Sequence, residues 1–149
     1  MMAYAIAQDW LEAEESQSFI GDTDGDGAAD VSGIDKALVS ASAEMDGWLA
    51  SRYPVPVIDP AAIPVLRVHA VAIATYHLAR TANEVTEDIK ERYKASIDYL
   101  KSVAKGVADL PVTKQGTGQD ENGPAAATTS DVQMIAPERQ FSRSEFSEW

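Results

Sequence analysis

The sequence predicts an all-α protein, a small bundle of about four helices followed by a long extended C-terminal arm. Three observations carry this expectation. Apolar residues recur at helical spacing in three long segments. Those segments are bounded by capping residues, prolines and glycines at the positions where helices start and stop. Over residues 111–130 the composition turns to Gly, Thr, Ala and Pro with almost no large apolar group. A chain of 149 residues is long enough for one compact domain with a real core and short for two.

A short first helix is expected over Asp9–Ser16. Asp9 is placed to cap it, acids Glu12, Glu14 and Glu15 sit in its first turns where the helix dipole favours them, and Trp10, Leu11 and Phe19 offer apolar contacts. Residues Gly21–Asp30, GDTDGDGAAD, read as a loop, because four aspartates and three glycines leave no other conformation. The second helix runs from about Val31 to Arg52, with Ile34, Leu38, Ala41, Met45, Trp48 and Leu49 on one stripe and Asp30 or Ser32 as N-cap. Pro54 and Pro56 end it and enforce an extended connection.

The third helix begins near Ala62, with Pro64 in a first turn that needs no amide donor. Leu66, Val68, Ala70, Val71, Ile73 and Leu78 make it apolar nearly all round, which predicts a central helix packed on several sides, ending at Asn83. The fourth starts after Thr86, a good N-cap, with Glu87 and Asp88 in the first turn. Ile89, Tyr93, Ile97, Leu100 and Ala104 form its stripe, and Gly106 is placed for a left-handed C-terminal cap. The organisation expected is therefore a helical domain over 1–110, a flexible linker over 111–130 and an arm over 131–149. The arm recovers apolar and cationic anchors, of which Arg139, Phe141, Arg143, Phe146 and Trp149 are the side-chain types that dominate binding hot spots. A tethered docking peptide and a tail folding back on its own domain fit that pattern about equally well.

Charge and composition exclude several classes. Twelve Lys and Arg against 24 Asp and Glu give a net charge of −12, which lacks the basic footprint needed to grip DNA or an anionic membrane. A self-repelling solvated surface and a pore lining past which DNA slides both fit this acidity. The absence of cysteine removes disulfides, zinc–thiolate sites and thiol nucleophiles, and fits synthesis in a reducing cytoplasm. The opening MMAYAIAQDWLEAEE lacks the basic and apolar regions of a signal peptide, and Ile63–Leu78 is too short and too polar to span a membrane.

The most pronounced chemical pattern is Asp22-Thr-Asp24-Gly-Asp26-Gly-Ala-Ala-Asp30. Alternating carboxylates followed by glycine match positions one, three, five, six and nine of an EF-hand-type calcium loop. Position twelve, which should supply a bidentate acid, is Gly33. The loop is thus a candidate site for a structural Ca2+ held by Asp22, Asp24, Asp26 and Asp30, with a solvated acidic turn as the plainer reading. No cofactor is required by any motif. His69 and His77, two turns apart on one helix, are too far from each other for one metal and read as partly buried or interface histidines. Glu44, Asp46, Glu87, Asp88 and Glu91 fall at helix-surface positions, where solvated faces explain them better than acid–base catalysis. No nucleophile elbow or phosphate-cradling glycine loop is present, so no enzyme is expected.

Beyond this reading, the order of residues resembles a known family. Ile34, Ala37-Leu38, Ala41, Glu44-Met45-Asp46 and Leu49 lead into Arg52-Tyr53-Pro54-Val55-Pro56. Pro64, Leu66, Ala70, Ile73-Ala74, Tyr76 and Leu78 follow, then Glu91-Arg92-Tyr93-Lys94, Leu100, Ala104, Gly106 and Leu110. This is similar to the Mu-like phage family of head–tail joining, or head-completion, proteins. The opening Met-Ala-Tyr-Ala and the late Arg139-Gln-Phe-Ser-Arg143 carry the same likeness, and the RYP.P end of the second helix is its most distinctive part.

The resemblance implies a structural virion protein, an adaptor made in the host cytoplasm that forms a homo-oligomeric ring, a dodecamer by the symmetry of the family's portal. The ring would lie beneath the portal at the head–tail interface and surround a channel through which DNA passes without specific binding. The arm, through Arg139, Phe141, Arg143, Phe146 and Trp149, would dock on the portal protein, and the bundle would receive a stopper or tail-completion protein. Subunit contacts are expected on the exposed sides of the second and fourth helices. The competing expectations are a calcium-binding helical interaction module and another tail-completion protein such as a tail terminator.

Overall fold

The computed structural model describes residues 2–113, and these are all-helical. Helix α1 spans Ala7–Ala13, a 3-10 segment follows over Glu15–Gly21, and α2 (Val31–Leu49), α3 (Ile63–Ala82) and α4 (Glu87–Ala104) form the body. They fall within one compact unit, Met1–Lys114. The anchors of the expected arm, Arg139 to Trp149, and the linker from Lys114 onward lie outside the described residues.

Capping chemistry explains where the long helices begin and end. Thr86 Oγ1 accepts from the Ile89 amide at 3.3 Å and starts α4. Asn83 ends α3 in the left-handed conformation (φ 59°), and Gly106 takes the same region (φ 78°) just past α4. Asp30 occupies the N-cap position of α2, but its carboxylate accepts from the Thr23 hydroxyl at 2.5 Å instead of from the first-turn amides. Helix α2 stops at Leu49, three residues short of Arg52. The Arg52 and Tyr53 amides both return to the Leu49 carbonyl at 2.9 Å, and the chain turns there into the proline-rich connection.

The first helix departs furthest from expectation. It starts two residues before Asp9, which sits in the third helical position and accepts from the Ile6 amide at 2.9 Å. Glu14, expected in a first turn, is instead the C-cap. Phe19, expected to pack, is 61 % exposed, and Ile20 is buried in its place. The backbone leaves helical geometry at Gln17 (φ −122°, ψ 23°), and the 3-10 turn that follows brings Ile20 rather than Phe19 inward.

Helix α3 packs against α1, the 3-10 segment, α2 and α4, the central position that its apolar circumference predicts. The core interleaves Leu38, Met45 and Leu49 of α2 with Leu66 and Ile73 of α3 and Leu100 and Val103 of α4, all fully buried. Each contributes roughly 1.5–3 kcal/mol of hydrophobic stabilisation. Val68, which the all-round reading of α3 includes, faces solvent at 67 % exposure.

Two clasps hold the ends of the unit. Arg52 Nη1 donates to the carbonyls of Val103 (3.0 Å) and Ala108 (3.1 Å), while Nη2 pairs with Asp109 at 2.9 Å. The Leu110 amide donates to Tyr53 Oη at 3.1 Å. Residues 111–113, which the sequence assigns to the linker, are also held. Val112 packs on the core, and Thr113 donates from its amide (2.7 Å) and hydroxyl (3.1 Å) to the Asp59 carboxylate.

Candidate functional site

The acidic loop is ordered by its own backbone. Asp22 accepts from the Gly25 amide at 2.7 Å and the Gly27 amide at 2.9 Å, Asp24 from Asp26 at 3.1 Å, and Asp26 from Ala28 at 2.8 Å. The amide bonds to Asp22, that from Gly27 first and then that from Gly25, hold its carboxyl below the usual carboxylate range. Gly25 (φ 80°) and Gly27 (φ 91°) adopt the left-handed backbone that the turn requires.

Three of the four proposed calcium ligands converge. One oxygen each of Asp22, Asp24 and Asp26 lies within 4.8 Å of the other two. Asp30 is outside this cluster, with its carboxylate on Thr23. Hard carboxylate oxygens at this spacing suit Ca2+, but three of them fall short of its usual six to eight ligands. Carbonyls and water would have to complete the shell.

Several acids turn out to be structural, among them Glu44 and Asp46, which the sequence places on a solvated face. Glu14 is 5 % exposed and pairs with Arg92 at 2.6 Å, with the Thr75 hydroxyl 3.5 Å away. Thr75 in turn accepts from the indole of the fully buried Trp10 at 2.9 Å and donates to the Val71 carbonyl. Arg92 also reaches Asp88 one turn back at 3.0 Å. Glu44 accepts from Tyr93 Oη at 2.8 Å and lies 3.0 Å from His77 Nε2. Burial and then the Glu44 bond push the Tyr93 phenol up to about 12. Asp46 takes the Tyr4 hydroxyl, which accepts from the Val57 amide at 3.0 Å and whose acidity is suppressed, chiefly by burial.

His69 is half-buried, stacks on Tyr99 with ring centroids 4.4 Å apart and contacts Ser96 Oγ at 3.1 Å. Burial lowers its pKa. Both histidines are therefore partly buried within the bundle, and each is already engaged with its own protein partner.

Sequence reasoning missed an apolar groove at the N-terminal end. About 280 Å³ in volume, it is lined by Met2, Tyr4, Ile6, Val57, Ile58 and Ile63, beside the Arg67–Asp9 ion pair. Met2, Ile6 and Ile58 are 61 %, 62 % and 74 % exposed. These residues come from two segments far apart in sequence, so no local period marks them. The apolar pair Val57-Ile58 directly after Pro54 and Pro56 was the one available signal.

Residues 4–129 match the family model described as "Bacteriophage Mu, Gp36". The chain belongs to the Mu Gp36 family. Within it, this chain is 31 % identical over 100 residues to the Mu-like prophage FluMu protein gp36 of Haemophilus influenzae, covering 66 % of this chain and 68 % of that protein. It is 28 % identical over 112 residues to gene product J of Escherichia phage Mu, covering 74 % and 76 %. The Gp36 match takes in the described bundle from Tyr4 onward, including the acidic loop, the Arg52 clasp and most of the groove. It ends before the arm, so Arg139, Phe141, Arg143, Phe146 and Trp149 fall beyond it. Among the described residues no helix is long and apolar enough to cross a membrane.

Proposed function

We propose that this Gp36-family protein is a structural subunit of the phage particle, a head–tail connector adaptor. It assembles as a ring under the portal, encloses the DNA channel and joins capsid to tail, and it performs no catalysis. The observation that carries this reading is the apolar groove at one end of a small, firmly clasped bundle of a phage protein family. Exposed large apolar side chains grouped on one end mark a surface meant to be covered by protein. The net charge of −12 supports a channel that does not hold DNA. The arm supplies the docking anchors, Arg139, Phe141, Arg143, Phe146 and Trp149, to the portal. A ring repeats each modest contact in every subunit, which makes the set collectively strong.

The test is electron microscopy of particles assembled without this protein. Tailless or DNA-leaking heads beside free, finished tails are expected, and removal of residues 131–149 should reproduce the defect. Normal infectious particles would refute the adaptor reading.

The convergence of Asp22, Asp24 and Asp26 favours a second reading, a calcium-stabilised interaction module. A melting temperature that rises with Ca2+ and falls with a chelator supports it, and identical melting in both rejects it.

A further inference from the structure

We infer that the cleft between α2 and α3 is a binding site for a carboxylate side chain of a neighbouring copy of this chain. The identity of the occupant rests on the ring reading above, while the chemistry of the cleft stands on its own.

The argument begins with charge pairing. Arg52, Arg67, Lys90, Arg92 and Lys101 each have an acidic partner. Lys36, Arg80, Lys94 and Lys105 have none among the described residues, and two of these four, Lys36 and Arg80, line one cleft of about 260 Å³. Ser40, His77, Thr81 and Thr23 complete its polar lining. Two uncompensated cations sharing a cleft on a protein with twice as many acids as bases are a concentrated exception to its surface. Glu44 borders the cleft through its contact with His77, but no Asp or Glu is among the residues that line it.

The cleft wall is also built to a definite shape. Thr23 folds over Gly33 so closely that a Cβ at residue 33 would lie 2.8 Å from Thr23 Cγ2. The Thr23 hydroxyl is in turn fixed by Asp30 at 2.5 Å. The glycine at the calcium loop's twelfth position thus has a packing reason of its own: it lets the acidic loop close one side of the cleft.

Ligand chemistry follows from the donors. A guanidinium fork and an ammonium flanked by hydroxyls suit a carboxylate, which can take paired charge-assisted hydrogen bonds. The volume holds one acidic side chain. A duplex would need many phosphate contacts, and two cations on a chain of net charge −12 do not provide them. A second copy fits because each copy carries surplus exposed acids, among them Glu84 and Glu91. Like-charged subunits repel, so a ring needs local points where opposite charges meet.

The test uses the full chain and a Lys36→Ala/Arg80→Ala double variant, compared by sedimentation velocity over a range of protein and NaCl concentrations, alone and with isolated portal. Both side chains are exposed, so helicity and melting should not change. The variant should require roughly tenfold more protein to assemble, with a flatter salt dependence. Equal assembly and equal salt dependence would overturn the cleft while leaving the ring intact. A wild-type chain that stays monomeric in both settings would defeat the ring and the occupant together.

A four-residue glutamate peptide then examines the cleft directly by amide NMR. Saturable shifts at Lys36, Ser40 and Arg80, absent in the variant, support carboxylate binding, and no saturable shift rejects it. Duplex DNA binding that the double substitution abolishes would also overturn the inference in favour of phosphate.

Discussion

Glu14 and Asp22 are eight residues apart in sequence, and the protein holds their negative charges by opposite means. Glu14 is taken out of water and matched by Arg92, which arrives from α4. Asp22 stays at the surface and is satisfied by amides within five residues of itself. The first arrangement exists only when α1, α3 and α4 are assembled. The second needs little more than the turn that the glycines allow. An acid held by remote groups couples to global folding, whereas one held by its own loop reports on local order.

Substitutions can break or sharpen this contrast. The largest effect is expected at Trp10, whose fully buried ring and indole bond to Thr75 lie at the centre of the assembled network. Trp10→Ala should cost about 3–5 kcal/mol in urea unfolding. Arg92→Met leaves Glu14 buried without its partner, and about 2–3 kcal/mol is expected, less than for a fully buried pair because Arg92 is itself 37 % exposed. Glu14→Gln in that background should recover part of the loss, and no recovery would mean that the pair is not coupled. Thr86→Ala removes only the α4 cap and should cost about 1 kcal/mol, read from the same unfolding curves.

Asp22→Ala should leave the midpoint almost unchanged while speeding amide exchange at Gly25 and Gly27. A large loss of stability there would erase the distinction drawn above.

Acidity provides the smallest and most local probes. The folded Asp22 carboxyl titrates below its unfolded value, so its contribution is present above the unfolded pKa of 3.8. That contribution is lost as pH falls through the folded value. Carboxyl NMR should find its midpoint under 3.8. His69 also titrates low, because burial disfavours the imidazolium. Below the unfolded value of 6.5 the unfolded chain binds a proton that the folded one resists, so this residue lowers stability as pH falls from neutrality. An NMR midpoint for His69 at or above 6.5 would contradict the structure.

The three long helices were legible because their determinants are local. Thr86, Asn83 and Gly106 fix their ends by backbone chemistry confined to a few residues, and the stripe of Ile34, Leu38, Ala41 and Met45 fixes which side of α2 is buried. Asp30 was legible as a position but not as a bond, since Thr23 competes for its carboxylate. The polar core was not legible. Glu14, Glu44 and Asp46 carry the same residue types as a solvated face, and only the arrival of Arg92, Tyr93 and Tyr4 separates the two cases. The groove was missed for the same reason, as Ile6 and Ile58 meet only in the folded chain.

The Arg52 guanidinium binds carbonyls on both sides of Gly106, whose Cβ, if present, would sit 3.6 Å from its Cζ. Inserting or deleting one residue within α2 or α4 would rotate one end of this clasp by about 100° relative to the other. The lengths of those helices in this chain are therefore coupled to each other. Insertions and deletions among relatives should collect at the exposed tip of the acidic loop, residues 24–28, whose bonds stay within the loop.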